Sequence, residues 1–179
     1  MKTEEIKKKF LNFFKKNNYK EFKQSPIIIE TDKSLLFTNS GMVQFKNIFL
    51  GIEKYIYKKV ITIQQCIRLG GKHNDLENIG KTPHHNTSFE MLGNFVFEDL
   101  CKEDAIDLAL NFLIKELNLD KNKIYVTVNK NDEDSFKIWL KKIKKEKIIF
   151  SDDETNFWQM AEKGPCGYCT EDRKSTRLN

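Results

Sequence analysis

The sequence lacks any long hydrophobic run, and this absence excludes two classes of protein. No segment of the chain approaches the roughly 20 consecutive apolar residues of a membrane-spanning helix. The first residues, Met1 to Glu5, lack the apolar core of a secretory signal. A cytoplasmic location without a membrane partner is therefore expected.

Cysteine and histidine are both scarce. The four cysteines, at positions 66, 101, 166 and 169, are too few and too unevenly placed for a disulfide scaffold, and they fit a reducing compartment. Cys166 and Cys169 form a CxxC pair, but all three histidines lie far upstream of it. Because two thiolates do not complete the tetrahedral shell of zinc, no metal site is expected and a turn is the preferred interpretation.

Large hydrophobic residues are present in sufficient number for a core. The chain of 179 residues is 39% hydrophobic and contains 14 phenylalanines, which predicts a folded domain. Its net charge of +5 comes from 31 basic and 26 acidic residues. Lysine, asparagine, isoleucine and phenylalanine are all abundant, as is typical of an AT-rich genome. The charge alone therefore leaves open a solvated surface and a nucleic-acid-binding face.

Hydrophobic periodicity predicts both helices and strands. Apolar residues at helical spacing predict helices over residues 4–17, 102–117 and 132–145. Runs rich in β-branched and aromatic residues predict strands over residues 34–37, 59–68, 87–97, 123–128 and 148–150. Because these elements do not alternate in regular βαβ units, the pattern favours an α+β fold, and no linker is evident.

The segment from residue 59 to residue 97 concentrates the chemistry of the sequence. Two predicted strands flank a polar loop with adjacent glycines. Its charged or ring side chains include Arg68, Lys72, His73, Asp75, Glu77, His84 and His85. An arginine fork matches phosphate oxygens in two-point geometry and a lysine adds a mobile charge, which suggests a triphosphate clamp. No GxxxxGK[ST] loop occurs, so a solvated β-hairpin with a basic loop stays open as the alternative.

Three sequence stretches together resemble one known family. RLGGKHNDLENIG followed by HHNTSFEMLGNF resembles motif 2 of alanyl-tRNA synthetases, the class II enzymes that attach alanine to tRNA. The upstream LLFTNSGMVQFKNIFLG resembles the motif 1 region, and the downstream NFWQMAEKGPCGYCTE resembles the amino-acid pocket. The resemblance runs from about residue 3 to residue 171. It implies the class II catalytic fold, an antiparallel sheet flanked by helices.

The resemblance also implies a reaction and its participants. Alanine's carboxylate attacks the α-phosphate of ATP, which gives alanyl-adenylate and pyrophosphate, and the 3′ end of alanine tRNA then takes the alanyl group. ATP and Mg²⁺ are the expected cofactors, while zinc is not expected in this chain. An oligomer of the full-length protein stays open.

Individual roles follow from the matched positions. Arg68 matches the arginine that grips the α-phosphate and the carboxylate, and Lys72 matches a loop lysine linked to adenylate formation and the tRNA end. His85 matches a histidine near the outer phosphates. Phe89 and Met91 match the strand that lines the adenine pocket.

Three further residues receive weaker roles. Trp158 matches the tryptophan that closes the alanine pocket and limits it by size, a device that rejects larger amino acids but not glycine. Without the resemblance, ordinary core packing would explain Trp158 and the two adenine-pocket residues. Asp75 and Glu77 are interpreted as supports that hold the basic loop residues, with unassigned loop acids as the alternative.

The chain departs from the family at several positions. Asn86 replaces a histidine, Ser88 a phenylalanine and Glu98 a glycine, which weakens the expected phosphate contacts and alters one turn. Residues 172–179 do not follow the family, so we expect a partial catalytic domain over residues 1–171 and a disordered or non-native tail.

Motif 3, with its second ATP-binding arginine, does not occur in the sequence. We therefore expect exposed strand edges, poor stability and little or no catalysis for the isolated chain. A non-catalytic nucleotide- or RNA-binding fragment and a structural domain of the same fold are the alternatives to a ligase.

Overall fold

A computed structural model describes residues 1–29, 35–69, 76–82, 85–98, 101–160 and 164–173. The chain divides into two compact units, Met1–Glu98 and Asp99–Asn179. Each unit combines helices with its own sheet. Within the described residues, no helix is both long enough and apolar enough to cross a membrane.

The described helices and strands follow one another in mixed order. The α-helices are α1 Thr3–Lys16, α2 Lys46–Phe49, α3 Lys102–Asn111, α4 Glu133–Leu140 and α5 Asp153–Asn156. The strands are β1 Lys20–Glu21, β2 Lys59–Ile67, β3 Ser88–Val96, β4 Tyr125–Asn129, β5 Ile148–Ser151, β6 Phe157–Gln159, β7 Cys166–Tyr168 and β8 Thr170–Arg173. This mixture, with antiparallel strand pairs, confirms the α+β prediction.

The first unit is built on the β2–β3 hairpin. In the described residues its sheet has the order β1-β2-β3, with β1 parallel and β3 antiparallel to β2. The antiparallel register runs without a break from Lys59 opposite Val96 to Ile67 opposite Ser88. Because side chains alternate along a strand, the hairpin presents two distinct faces.

Helix α1 packs through its apolar stripe and contacts one face of this hairpin. Its buried residues are Phe10 and Phe14, as the helical spacing predicts. The Phe14 ring lies 5.0 Å from the ring of Tyr19, measured between centroids. Lys7 Nζ lies 2.7 Å from Glu90 Oε2 on β3, so an ion pair also joins the helix to the sheet.

The second unit has a separate core around β4. In the described residues its main sheet has the order β5-β4-β8, and α3 and α4 contribute to the core against it. The buried core residues are Ile106, Leu110, Ile124, Val126, Val128, Trp139, Ile143 and Ile148. A short antiparallel pair of β6 and β7 completes the unit's described strands.

Most of the predicted elements are confirmed, and three predictions need correction. Leu36 and Phe37 form bends and Leu35 is irregular, so none of them lies in the predicted strand, whereas Ser34 lies outside the described residues. Helix α4 ends at Leu140 and not at residue 145. Asp172 and Arg173, assigned to a disordered tail, pair with β4, while residues 174–179 lie outside the described part.

Candidate active site

One face of the β2–β3 hairpin gathers three residues predicted to bind ATP. The register places Cys66 opposite Phe89 and Gln64 opposite Met91. Arg68 follows β2 directly, and its backbone N–H donates to the Thr87 carbonyl at 3.0 Å, so the ladder continues through it. By strand alternation, Arg68, Phe89 and Met91 therefore share this face.

Arg68 is held by two contacts at the end of β2. Its side chain is half-buried, and Nε donates a hydrogen bond of 3.0 Å to the backbone carbonyl of Asn39. The guanidinium carbon lies 5.1 Å from the centroid of the Phe89 ring, within the range of a cation–π contact. A hydrogen bond through Nε and a stacked ring together orient the guanidinium plane.

Met91 lies beneath the loop of residues 38–41. Its Sδ accepts a hydrogen bond of 3.3 Å from the backbone N–H of Gly41. A Cβ at Gly41 would lie 3.3 Å from the Phe95 ring, so the absence of a side chain lets this loop approach the sheet closely. The 38–41 loop therefore contacts the face that carries the predicted site.

The loop between the strands is only partly described. His85 is half-buried, and its Nδ1 lies 2.5 Å from Thr82 Oγ1. Glu77 is exposed in a short 3₁₀ turn, Leu76–Asn78. Lys72 and Asp75 lie outside the described residues, so their predicted roles stay predictions.

Burial controls the chemistry of the cysteine on this face. The Cys66 side chain is fully buried, and burial raises the pKa of its thiol to about 11, although the nearby Arg68 charge acts in the opposite direction. The thiol therefore stays protonated and inert at neutral pH.

Trp158 lies in the second unit, on β6. It pairs with Gly167 on β7, and a Cβ at that glycine would lie 3.6 Å from the indole Nε1, an ordinary contact. Just before β6, the fully buried Asn156 donates from Nδ2 to the Cys169 carbonyl at 2.9 Å and accepts from the Cys169 N–H at 3.0 Å. The strand that carries the indole is thus fixed to the segment before β8.

Strand β8 carries a half-buried acid, Asp172. Burial raises the pKa of the Asp172 carboxyl above its ordinary value, and the neighbouring Glu171 charge adds to this effect. Within the described residues, no group of three or more histidine, cysteine or acidic side chains is close enough together to hold a metal ion.

Comparison with known proteins identifies the family. The model of the family described as tRNA synthetases class II (A) matches residues 5–174. The chain belongs to this class II family. The alanine–tRNA ligase of Francisella tularensis subsp. novicida (strain U112) is 50% identical over 171 residues, or 94% of this chain. That of Wolbachia pipientis wMel is 50% identical over 173 residues, or 96%.

This class II chain is much shorter than its relatives. The aligned residues make up 20% of the length of each of these two ligases. The class II membership confirms the family and the α+β fold expected from the three sequence stretches.

Two backbone contacts of the candidate site residues were not predicted from the sequence. The Asn39 carbonyl holds Arg68, and the Gly41 N–H contacts Met91. Both are backbone groups, so residue type gives no direct indication of their partners. The turn-prone sequence Thr38-Asn39-Ser40-Gly41 was the one available signal that the chain changes direction there.

Proposed function

We propose that these residues belong to an alanine–tRNA ligase, which activates alanine with ATP and transfers it to the 3′ end of alanine tRNA. The observation that carries the proposal is Arg68, held at the end of a strand through Nε and stacked on Phe89. The 50% identity to alanine–tRNA ligases supports the choice of amino acid.

Arg68 is assigned to the reacting phosphate. When the carboxylate of alanine attacks the α-phosphorus, negative charge grows on the oxygens around that phosphorus. Because Nε already binds the Asn39 carbonyl, the two terminal nitrogens of Arg68 are assigned to those oxygens. A preoriented guanidinium stabilises the transition state because it does not reorganise during the reaction.

The other residues are assigned one by one. Phe89 and Met91 contact adenine, and His85 donates to the outer phosphates. Lys72, on the loop, neutralises negative charge of the bound substrate, and Asp75 and Glu77 hold the basic loop residues in position. Trp158 limits the size of the amino acid. Magnesium enters bound to the phosphates of ATP, since it keeps several waters and needs few protein ligands.

Alanine-dependent exchange of pyrophosphate into ATP, catalysed by the full-length protein, tests the proposal. The wild type should exchange with alanine, and Arg68→Ala should lose about 2–4 kcal/mol of transition-state stabilisation in kcat/KM. Lys137→Ala is the control, because this exposed lysine pairs with Glu133 on the same helix, α4.

One result would contradict the ligase assignment, and another would contradict the role of Arg68. A folded wild type that binds ATP but shows no alanine-dependent exchange would favour the nucleotide-binding alternative. An Arg68→Ala variant within about twofold of the wild type would remove Arg68 from the reaction while leaving the ligase assignment in place.

A further inference from the structure

A fully buried amide lies on the same face of β2 as Arg68, four residues before it. The Gln64 side chain has no exposed surface, and both of its polar atoms, Oε1 and Nε2, are hydrogen-bonded within the protein. Oε1 accepts from the backbone N–H of Ser25 at 2.9 Å, and Nε2 donates to the carbonyls of Ser25 at 3.0 Å and Gln65 at 2.8 Å. Gln64 thus fixes the backbone of Ser25 from both sides.

The chain after Ser25 carries this constraint to Thr38. Thr38 is also fully buried, and its Oγ1 donates to the Pro26 carbonyl at 2.7 Å. Its backbone N–H donates to the Ile27 carbonyl, also at 2.7 Å. The carbonyls of Pro26 and Ile27, which directly follow Ser25, therefore both accept hydrogen bonds from Thr38.

The backbone carbonyls of Thr38 and Asn39 connect this segment to the end of β2, next to the candidate site. The Thr38 carbonyl accepts from the Ile67 N–H at 2.9 Å, and the next carbonyl, that of Asn39, accepts from Arg68 Nε at 3.0 Å. Hydrogen bonds, joined by the peptide bonds from Ser25 to Pro26 and from Thr38 to Asn39, thus connect Gln64 with the guanidinium.

We propose that Gln64 and Thr38 are positioning residues that hold the Asn39 carbonyl, and through it the guanidinium of Arg68, in the orientation needed at the reacting phosphate. This role rests on the proposed ligase function. An apolar side chain could fill either buried position, but it would leave the carbonyls of Ser25 or Pro26 without their buried partners. The Asn39 carbonyl would then lose its fixed place, and Arg68 would sample other orientations.

A matched pair of variants at Thr38 tests this role in the full-length protein. Thr38→Val keeps the shape but removes the hydroxyl donor, and Thr38→Ser keeps the donor. At saturating ATP and alanine, Thr38→Val should lower kcat for exchange roughly tenfold, because misplaced catalytic groups lose rate steeply. Thr38→Ser should stay within about twofold of the wild type.

Combination with Arg68→Ala separates positioning from a general structural effect. If Thr38 acts through Arg68, then Thr38→Val should change kcat by less than about twofold when Arg68 is already alanine. A merely structural role would lower kcat by the same factor in both backgrounds. Gln64→Met should give the same pattern, and it decides the question if Thr38→Val does not fold, as judged by circular dichroism and thermal unfolding.

The outcomes distinguish this role from the ligase assignment. Normal exchange by the wild type, with effects of Thr38→Val and Arg68→Ala that multiply, would overturn the positioning role alone. Folded Thr38→Val and Gln64→Met variants with wild-type kcat would do the same. Absence of alanine-dependent exchange in the wild type would overturn the ligase assignment and the positioning role together.

Discussion

At the scale of the residue, Cys66 connects burial with reactivity. Since burial raises the pKa of its thiol to about 11, little of the reactive thiolate exists near pH 8. We expect iodoacetamide to leave Cys66 unmodified in the folded protein, while the exposed Cys101 and Cys166 react. Mass spectrometry of the digested protein measures each site, and unfolding in urea should make Cys66 react as well. Equal rates at Cys66 and Cys166 before unfolding would contradict the burial argument.

Trp158 gives a second prediction at this scale, one of substrate size. If the indole closes the amino-acid pocket, Trp158→Ala should raise kcat/KM for valine relative to alanine by about tenfold, the discrimination associated with a small change in pocket volume. Trp158→Phe is the matched control, since a ring of smaller width should keep part of the selectivity. Pyrophosphate exchange with each amino acid provides the ratio. An unchanged ratio in Trp158→Ala would place the indole outside the pocket.

The sequence pattern can indicate which side chains share a face of the hairpin, but it does not indicate their backbone partners. Arg68, Phe89 and Met91 share a face because strand alternation and an unbroken register follow from the hydrophobic pattern. The Asn39 carbonyl that holds Arg68 is separated from it by 29 positions and has no sequence signature. Every residue carries such a carbonyl, so only the folded chain identifies the one that is used.

At the scale of the element, helix α4 depends on its N-cap, Asp132. This carboxylate is 4% exposed, and its Oδ1 accepts from the Ser135 N–H at 3.2 Å and from Lys102 Nζ at 2.6 Å. Burial alone would raise the pKa of Asp132, but the hydrogen bonds from Lys102 and Ser135 outweigh it and hold the pKa below its ordinary value. The cap is therefore strongest when the carboxyl is ionised.

This pKa shift predicts how the stability of the second unit depends on pH. Because the folded-state pKa is lowered, the stabilisation is present above the unfolded-state value of about 4 and is lost as pH falls through the folded-state value. We expect the free energy of unfolding to fall below about pH 4, and less steeply in Asp132→Asn, which keeps a cap but does not titrate.

Urea unfolding across this pH range measures the effect, and the fluorescence of Trp139, which is buried on α4, reports on this helix. Asp134→Asn is the matched control because Asp134 is exposed in the same helical turn. If both substitutions change the slope equally, the cap is not the source of the pH dependence. Asp132→Ala should cost about 1 kcal/mol at neutral pH through loss of the cap.

Helices and strands were predicted well where the hydrophobic pattern extends over many residues. They were predicted poorly where tertiary contacts determine the local structure. The short apolar run before Thr38 fits a strand by composition, but Leu36 is 85% exposed and Thr38 bonds back to the Pro26–Ile27 backbone. Helix α4 ends early because the backbone N–H groups of Lys141 and Lys142 bond to the carbonyls three residues before them, which makes a tighter turn than an α-helix. Neither feature changes the apolar pattern from which the prediction was made.

At the scale of the whole molecule, the sheet of the first unit has a long edge strand in the described residues. Strand β3 is nine residues long and, in the described part of the chain, is the last strand of the order β1-β2-β3. A long unpaired edge presents backbone donors and acceptors to any other strand. The chain spans a fifth of the length of the two relatives described above.

The hydrogen-bond pattern identifies which groups of β3 are free to pair. The Arg68 N–H donates to Thr87 and the Phe97 N–H donates to Lys58, so odd-numbered residues from 87 to 97 face β2 with their N–H groups. Even-numbered residues, such as the exposed Asn94, direct their N–H groups to the open edge. A proline at an even position therefore blocks the edge without removing a bond to β2.

We expect the isolated chain of residues 1–179 to self-associate through this edge, and light scattering after size exclusion at two protein concentrations measures it. Asn94→Pro should reduce the association and leave the circular dichroism spectrum unchanged, because it removes only an outward N–H. Phe95→Pro, one residue further, removes an inward N–H and should unfold the hairpin instead. A wild-type chain that stays monomeric at high concentration, or an Asn94→Pro chain that associates as strongly, would mean that the β3 edge is already covered.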